Sequence, residues 1–330
     1  MTRSTMPRVP IARDARASAS AASSVGIHLV TAPEPLRPHV VALFEYEVTG
    51  TTDRHVRVLP AGALELVVPV GGESLSWRSL EGSAGESPRP VVSGPRRRAF
   101  DLSCAAGHRV LVVSFWPGGA WPLFGVPMVE LADAHVTLED IFGKPARQLA
   151  DVLANESNAE ARLSAVARFL MDRQRRAKQR PHPAVSMLLT ASDARTVADV
   201  VAASGLSHRR FIEIFRREVG LTPRDFLRVR RLQRALAGLH ASGRAGADLA
   251  YEMGYADQSH FILECRKLTG LTPRALAAAS ASANTSMPLK GQLLSIGPPS
   301  ERSCSGHDQQ TGSGFSREDR RKRSAGRGGS

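Results

Sequence analysis

Cysteine is scarce in this 330-residue chain: three residues, Cys104, Cys265 and Cys304, with no pair at the close spacing of a zinc site or a disulfide framework. That excludes a disulfide-stapled scaffold and fits a reducing cytoplasm. Long apolar runs are absent, so no segment approaches the roughly 20 residues needed to span a bilayer. The start carries Arg3, Arg8, Arg13 and Arg16 among Ser and Ala and lacks the apolar core of a secretory signal. It resembles a transit peptide less than an unstructured extension or a misplaced start codon. The marks of catalysis are thin as well. His28, His39, His55, His108 and His135 are scattered, with no pair two to four residues apart near a carboxylate. They are expected to be surface or satisfied core histidines. Gly118-Gly119 lacks the spacing of a phosphate loop, and there is no Gly-x-Ser-x-Gly elbow. No enzyme activity, metal or cofactor is expected.

What is present is basic charge, unevenly spread. The formal charge of +13 divides into +3 for residues 1–26, +1 for 27–183, +5 for 184–280 and +4 for 281–330. A nearly neutral region joined to a basic one suits a polyanion-binding module attached to something else.

Ordered sequence is expected from about residue 27. Val56 to Val70 and Arg109 to Phe115 are short β-branched runs bounded by Gly and Pro, as strands are. Ser83 to Pro90 has the composition of a loop. From about residue 145 the apolar period becomes helical: Leu149, Val152 and Leu153, then Leu163, Val166, Ala167 and Leu170. Residues 173–183, with five basic residues and two prolines, suggest an exposed linker. Residues 184–280 are helical throughout, and 281–330 have the composition of an unstructured basic tail ending in Arg320-Arg321-Lys322-Arg323.

A repeat decides the class. Phe211 and Ile212 recur as Phe261 and Ile262, and Gly220-Leu221-Thr222-Pro223 as Gly270-Leu271-Thr272-Pro273, each at an offset of 50 residues. Each copy has a short helix (from Val197 or Ala247), a glycine break (Gly205, Gly254) and a polar N-cap (Ser207, Asp257). A second helix follows and ends at glycine; Thr-Pro then opens the next. Helix, tight turn, helix is the helix-turn-helix layout. At 100° per residue, Phe211, Ile214, Phe215 and Val219 share one face of the first recognition helix, with Arg209, Glu213 and Arg216 opposite, flanked by Ile212 and Arg217. In the second, Phe261, Cys265 and Leu268 face inward, and Ser259, Leu263, Arg266 and Lys267 outward. An Arg-rich outer face of that length suits the DNA major groove.

At Asp257-Gln258-Ser259-His260-Phe261 and the two Gly-Leu-Thr-Pro segments, the sequence resembles the AraC family, over residues 184–280. The resemblance implies two helix-turn-helix units joined by a long helix. It places base-reading positions at Arg209, Ile212 and Glu213, then at Gln258, Ser259, Ile262 and Leu263; Ser207, His208, Arg216, Arg217, Arg266 and Lys267 complete the DNA-binding set. Leu263 stands where the family often has Arg, Cys265 where it usually has Phe, and Val201 where Ala is common. Phe115-Trp116-Pro117-Gly118-Gly119-Ala120 and Phe124-Gly125-Val126-Pro127 resemble an uncharacterised sensor-like domain found ahead of AraC-type readers. Its trailing helices, about 145–176, are candidates for dimerisation.

The fold expected is α+β: an extension (1–26), a mostly β domain with trailing helices (27–176), a linker (177–183), an all-α domain of two helix-turn-helix units (184–280) and a tail (281–330). The function expected is a cytoplasmic, sequence-specific transcription regulator modulated by its N-terminal domain. Its implied partners are double-stranded DNA, RNA polymerase, a second copy of the chain and a small-molecule effector, with no membrane. The alternative is a ligand-binding or metabolic β domain carrying an accessory DNA reader.

Overall fold

Up to residue 137, β-branched and apolar residues recur in short runs between Gly and Pro breaks, and strands form there. The computed structural model describes residues 26–48, 54–71, 74–105, 107–191, 196–242, 247–282 and 293–296. These lie within residues 1–296, which form a single compact unit. The strands are β1 (Gly26–Val30), β2 (Val40–Glu47), β3 (Arg54–Val58), β4 (Glu65–Val70), β5 (Leu75–Ser79), β6 (Ala84–Ser87), β7 (Val91–Ser93), β8 (Phe100–Cys104), β9 (Arg109–Phe115), β10 (His135–Thr137) and β11 (Leu293–Ile296). Six make one antiparallel sheet in the order β1-β2-β9-β4-β7-β10, and five the other, β11-β3-β8-β5-β6.

Both faces of the six-stranded sheet are covered, so its strands are apolar on both sides. Leu43, Leu66, Val68, Leu111 and Val113 face a layer of helices, while Phe44, Tyr46, Val110 and Val112 face the second sheet. The helices are α1 (Trp121–Phe124), α2 (Leu138–Phe142), α3 (Lys144–Asn155) and α4 (Ala159–Arg175). Leu163, Val166 and Leu170 bring α4 onto the sheet. A buried ion pair fixes its position: Arg162 Nε donates to Glu45 Oε2 at 2.7 Å, and both side chains are almost fully enclosed.

After an extended stretch from 177 come α5 (Pro183–Leu189), α6 (Val197–Ser204), α7 (His208–Val219), α8 (Pro223–Ser242), α9 (Ala247–Glu252), α10 (Gln258–Thr269) and α11 (Pro273–Ser282).

Two elements depart from expectation. Ser83–Pro90 is not all loop: Ala84–Ser87 pairs with β5 as an exposed edge strand, where backbone hydrogen bonds suffice without apolar side chains. The tail likewise contains a strand, β11, whose Leu-Leu-Ser-Ile pairs with β3. The rest of the tail, including Arg320 to Arg323, and residues 1–25 lie outside the described residues.

Candidate nucleic-acid interface

Local signals build each helix-turn-helix. Thr196 and Asp199 form a capping box on α6, and Gly205, at φ +68°, ends it in the left-handed region that a side chain disfavours. Ser207 Oγ accepts the Arg210 N–H at 3.2 Å and starts α7. Phe211, Ile214, Phe215 and Val219 are buried, and the Phe215 ring meets Phe226 of α8 at 5.6 Å. The second unit repeats the device. Asp257 Oδ1 accepts the His260 N–H at 2.7 Å to start α10, whose Phe261, Cys265 and Leu268 are buried beside Tyr255. Burial pushes the Cys265 thiol up to about 12, so it stays protonated and acts as a small core hydrophobe. The two Thr-Pro exits are also capped: Thr222 Oγ1 accepts the Asp225 N–H and Thr272 Oγ1 the Ala275 N–H. Arg228 of α8 pairs with the nearly buried Glu264 of α10 at 3.1 Å, tying the second unit to the connecting helix.

The outer faces carry the expected set. On α7 and its cap, Ser207, His208, Arg209, Glu213 and Arg216 are exposed and Ile212 is half-buried. On α10, Gln258, Ser259, Leu263, Arg266 and Lys267 are exposed and Ile262 is half-buried. Arg209 is free of the core but not of charge. Its Nε donates to Glu213 at 3.2 Å, and Arg210 reaches the same carboxylate at 3.4 Å, holding it below its ordinary pKa. Arg217 sits apart from the others: its guanidinium lies 5.1 Å from the Trp121 ring centre and pairs with Glu218, turning it toward the β domain. The repeat also extends one residue further than the Gly-Leu-Thr-Pro words, to the exposed Arg224 and Arg274 at the openings of α8 and α11. Helix N-termini of this kind suit phosphate contacts.

The opposite ends of both recognition helices rest on one loop of the β domain, residues 94–99. At Gly220 an added Cβ would meet Pro95 Cγ at 2.8 Å and Met128 O at 3.0 Å. At the other end of the loop the Ala99 N–H donates to Leu268 O at 2.7 Å. Beside it, Arg57 holds Asp101 through two hydrogen bonds and donates to Thr269 O at 3.2 Å. Leu59 and Ala99 sit in the same apolar cluster as Phe261, Leu236 and Leu239. The core of the second unit is thus completed by residues of the β domain, a sharing that two self-contained domains would not show.

Residues 200–279 match a family model described as a helix-turn-helix domain. The chain carries an AraC-type helix-turn-helix domain. Ahead of this AraC-type domain, residues 28–137 match a domain of unknown function, DUF6597. Solved structures of ToxT from Vibrio cholerae are similar to the chain at 13% identity, covering 72% of this chain and 97% of that one with a TM-score of 0.39. A form of ToxT bound to an unsaturated fatty acid matches at 12% identity, 71% and 94% coverage and the same score. No curated protein sequence matches the chain. The AraC-type domain makes the protein a DNA-binding transcription regulator. Among the described residues no helix is long and apolar enough to cross a membrane.

Proposed function

We propose that the protein reads a specific DNA site by inserting α7 and α10 into successive major grooves, and that the β domain modulates this through the 94–99 loop. The observation that carries the reading is the matched pair of outer faces. Each begins at a capped N-terminus with polar side chains (Arg209 in one, Gln258 and Ser259 in the other), and each ends in basic residues (Arg216; Arg266 and Lys267). N-terminal residues of a recognition helix reach base edges, and later basic residues fall beside phosphates. With α8 rigidly between them, the helices are expected about one DNA turn, ~34 Å, apart. A small-molecule effector, RNA polymerase and a second copy of the chain are the further partners this reading implies. Footprinting of the full chain on sites selected from a random pool tests it. Protection of two adjacent major-groove segments per chain is expected; a footprint confined to one groove refutes insertion of both helices.

A further inference from the structure

Four large apolar side chains are exposed among the described residues, Leu29, Val152, Tyr251 and Leu263, and of these Leu263 stands on a recognition helix. It is 65% exposed, on the outer face of α10. At 100° per residue it lies about 200° round the helix from the buried Phe261, and within about 60° of Ser259 and Arg266. Leu263 therefore projects from the middle of the face that Gln258 and Ser259 open and Arg266 and Lys267 close.

The offset of 50 residues between the two units sets this position against its twin. The counterpart of Leu263 in α7 is Glu213, whose carboxylate is held by Arg209 and Arg210. The counterpart of Ile262 is Ile212, and both are half-buried. The centre of the outer face is thus charged in one unit and apolar in the other, while its flank is the same. Taking apolar surface out of water is favourable wherever an apolar partner is met. In the major groove the one apolar group on a base edge is the C5-methyl of thymine. A leucine side chain has neither donor nor acceptor. Over guanine O6 and N7, or cytosine N4, it would strip those groups of water and return no hydrogen bond. The same side chain therefore attracts one base and penalises others.

We propose that Leu263 reads thymine: in the groove that α10 enters, its side chain packs against the C5-methyl group of one thymine of the site. This names the base for the DNA reading above and rests on that reading. Gln258 and Ser259, about one turn nearer the helix start, take the polar edges of neighbouring bases, and Arg266 and Lys267 fall beside phosphate. Cytosine with a 5-methyl group presents the same apolar contact, so this half-site takes 5-methylcytosine better than cytosine.

The test uses the full chain and the site it selects from a random pool, at fixed salt. In the half-site under α10, replacing one thymine by uracil removes only the methyl group. It should weaken binding about fourfold, the contribution of one buried methyl. Cytosine placed there should bind less well than thymine, and 5-methylcytosine should recover about the same factor. Leu263→Ala should bind the thymine and uracil sites equally. It should melt with the parent and keep the parent's response to uracil in the other half-site. Leu263→Met, apolar and of similar volume, should keep the thymine preference. A selected half-site without a T·A pair, or equal parental binding of thymine and uracil at every position under α10, overturns the proposal. A uracil penalty that survives Leu263→Ala also overturns it, and turns the exposed leucine toward a protein partner instead. Footprints on the same duplexes separate the two levels. Two protected grooves without methyl dependence sink the thymine contact alone; a missing second groove sinks the insertion of α10 and the contact with it.

Discussion

Arg209 and Arg216 differ by seven residues, about two helical turns, and in the proposed reading that distance separates a base contact from a phosphate contact. Arg209, 91% exposed along its side chain at the start of α7, is placed to hold a guanine through two hydrogen bonds, worth about 1–3 kcal/mol of discrimination. Arg209→Ala should relax preference at one position of one half-site, and more than Ser259→Ala does. Arg216→Ala should weaken all sequences about equally. Selection from a random pool at fixed salt measures both, and an unchanged motif for Arg209→Ala would assign the readout elsewhere. His135 supports a prediction of a different kind. Its folded pKa lies well below 6.5, so the unfolded chain binds the proton more readily. The stability that neutral His135 allows is full above pH 6.5 and is lost progressively as pH falls below it. His135→Leu should flatten that loss, seen as a smaller drop in urea midpoint between about pH 7.5 and 5.5. An equal drop in parent and variant would place the acid sensitivity in other groups, of which His39, also lowered by burial, is one.

Among elements, the 94–99 loop is the most constrained by close approach. A Cβ on Gly94 would fall 1.6 Å from Leu131 O, which no rotamer adjustment relieves. Gly82, at φ +98° with nothing near it, carries only the backbone penalty of about 1–2 kcal/mol. Gly94→Ala should therefore lower the melting temperature well beyond Gly82→Ala; similar shifts would show that the loop yields cheaply. How far each element was legible in the sequence follows from the range of its signals. The two helix-turn-helix units could be located because their caps, glycine stops and apolar periods lie within a few residues of one another. Ser207, Gly220, Asp257 and Gly270 stand where that local grammar puts them. The hydrogen bond from Ser114 to Glu65 was hidden because the two residues are 49 apart in sequence and meet only through strand register. His135, grouped with four other histidines as unremarkable, is distinguished only by the Trp77 and Phe100 rings packed against it. The turn of Arg217 toward Trp121 was equally beyond reach, since helical periodicity cannot say what lies across an interface.

At the scale of the molecule, Leu59, Ala99 and Arg57 bind the second helix-turn-helix unit to the β domain, while the first keeps its own cluster around Phe211, Phe215 and Phe226. The two units should thus differ in how they respond to loss of that junction. Arg57→Ala removes the donor to Thr269 O and should speed hydrogen exchange in α10 while leaving α7 near its parental rate. Equal acceleration in both helices would mean that they open as one body.

The loop meets the recognition helices at their closing ends, by Gly220 and Leu268, whereas Arg209, Gln258 and Ser259 lie at the opening ends. On the proposed reading, address and command are thereby written on different parts of the same two helices. A lineage, or an engineer, can rewrite the promoter such a protein visits without relearning how it is switched.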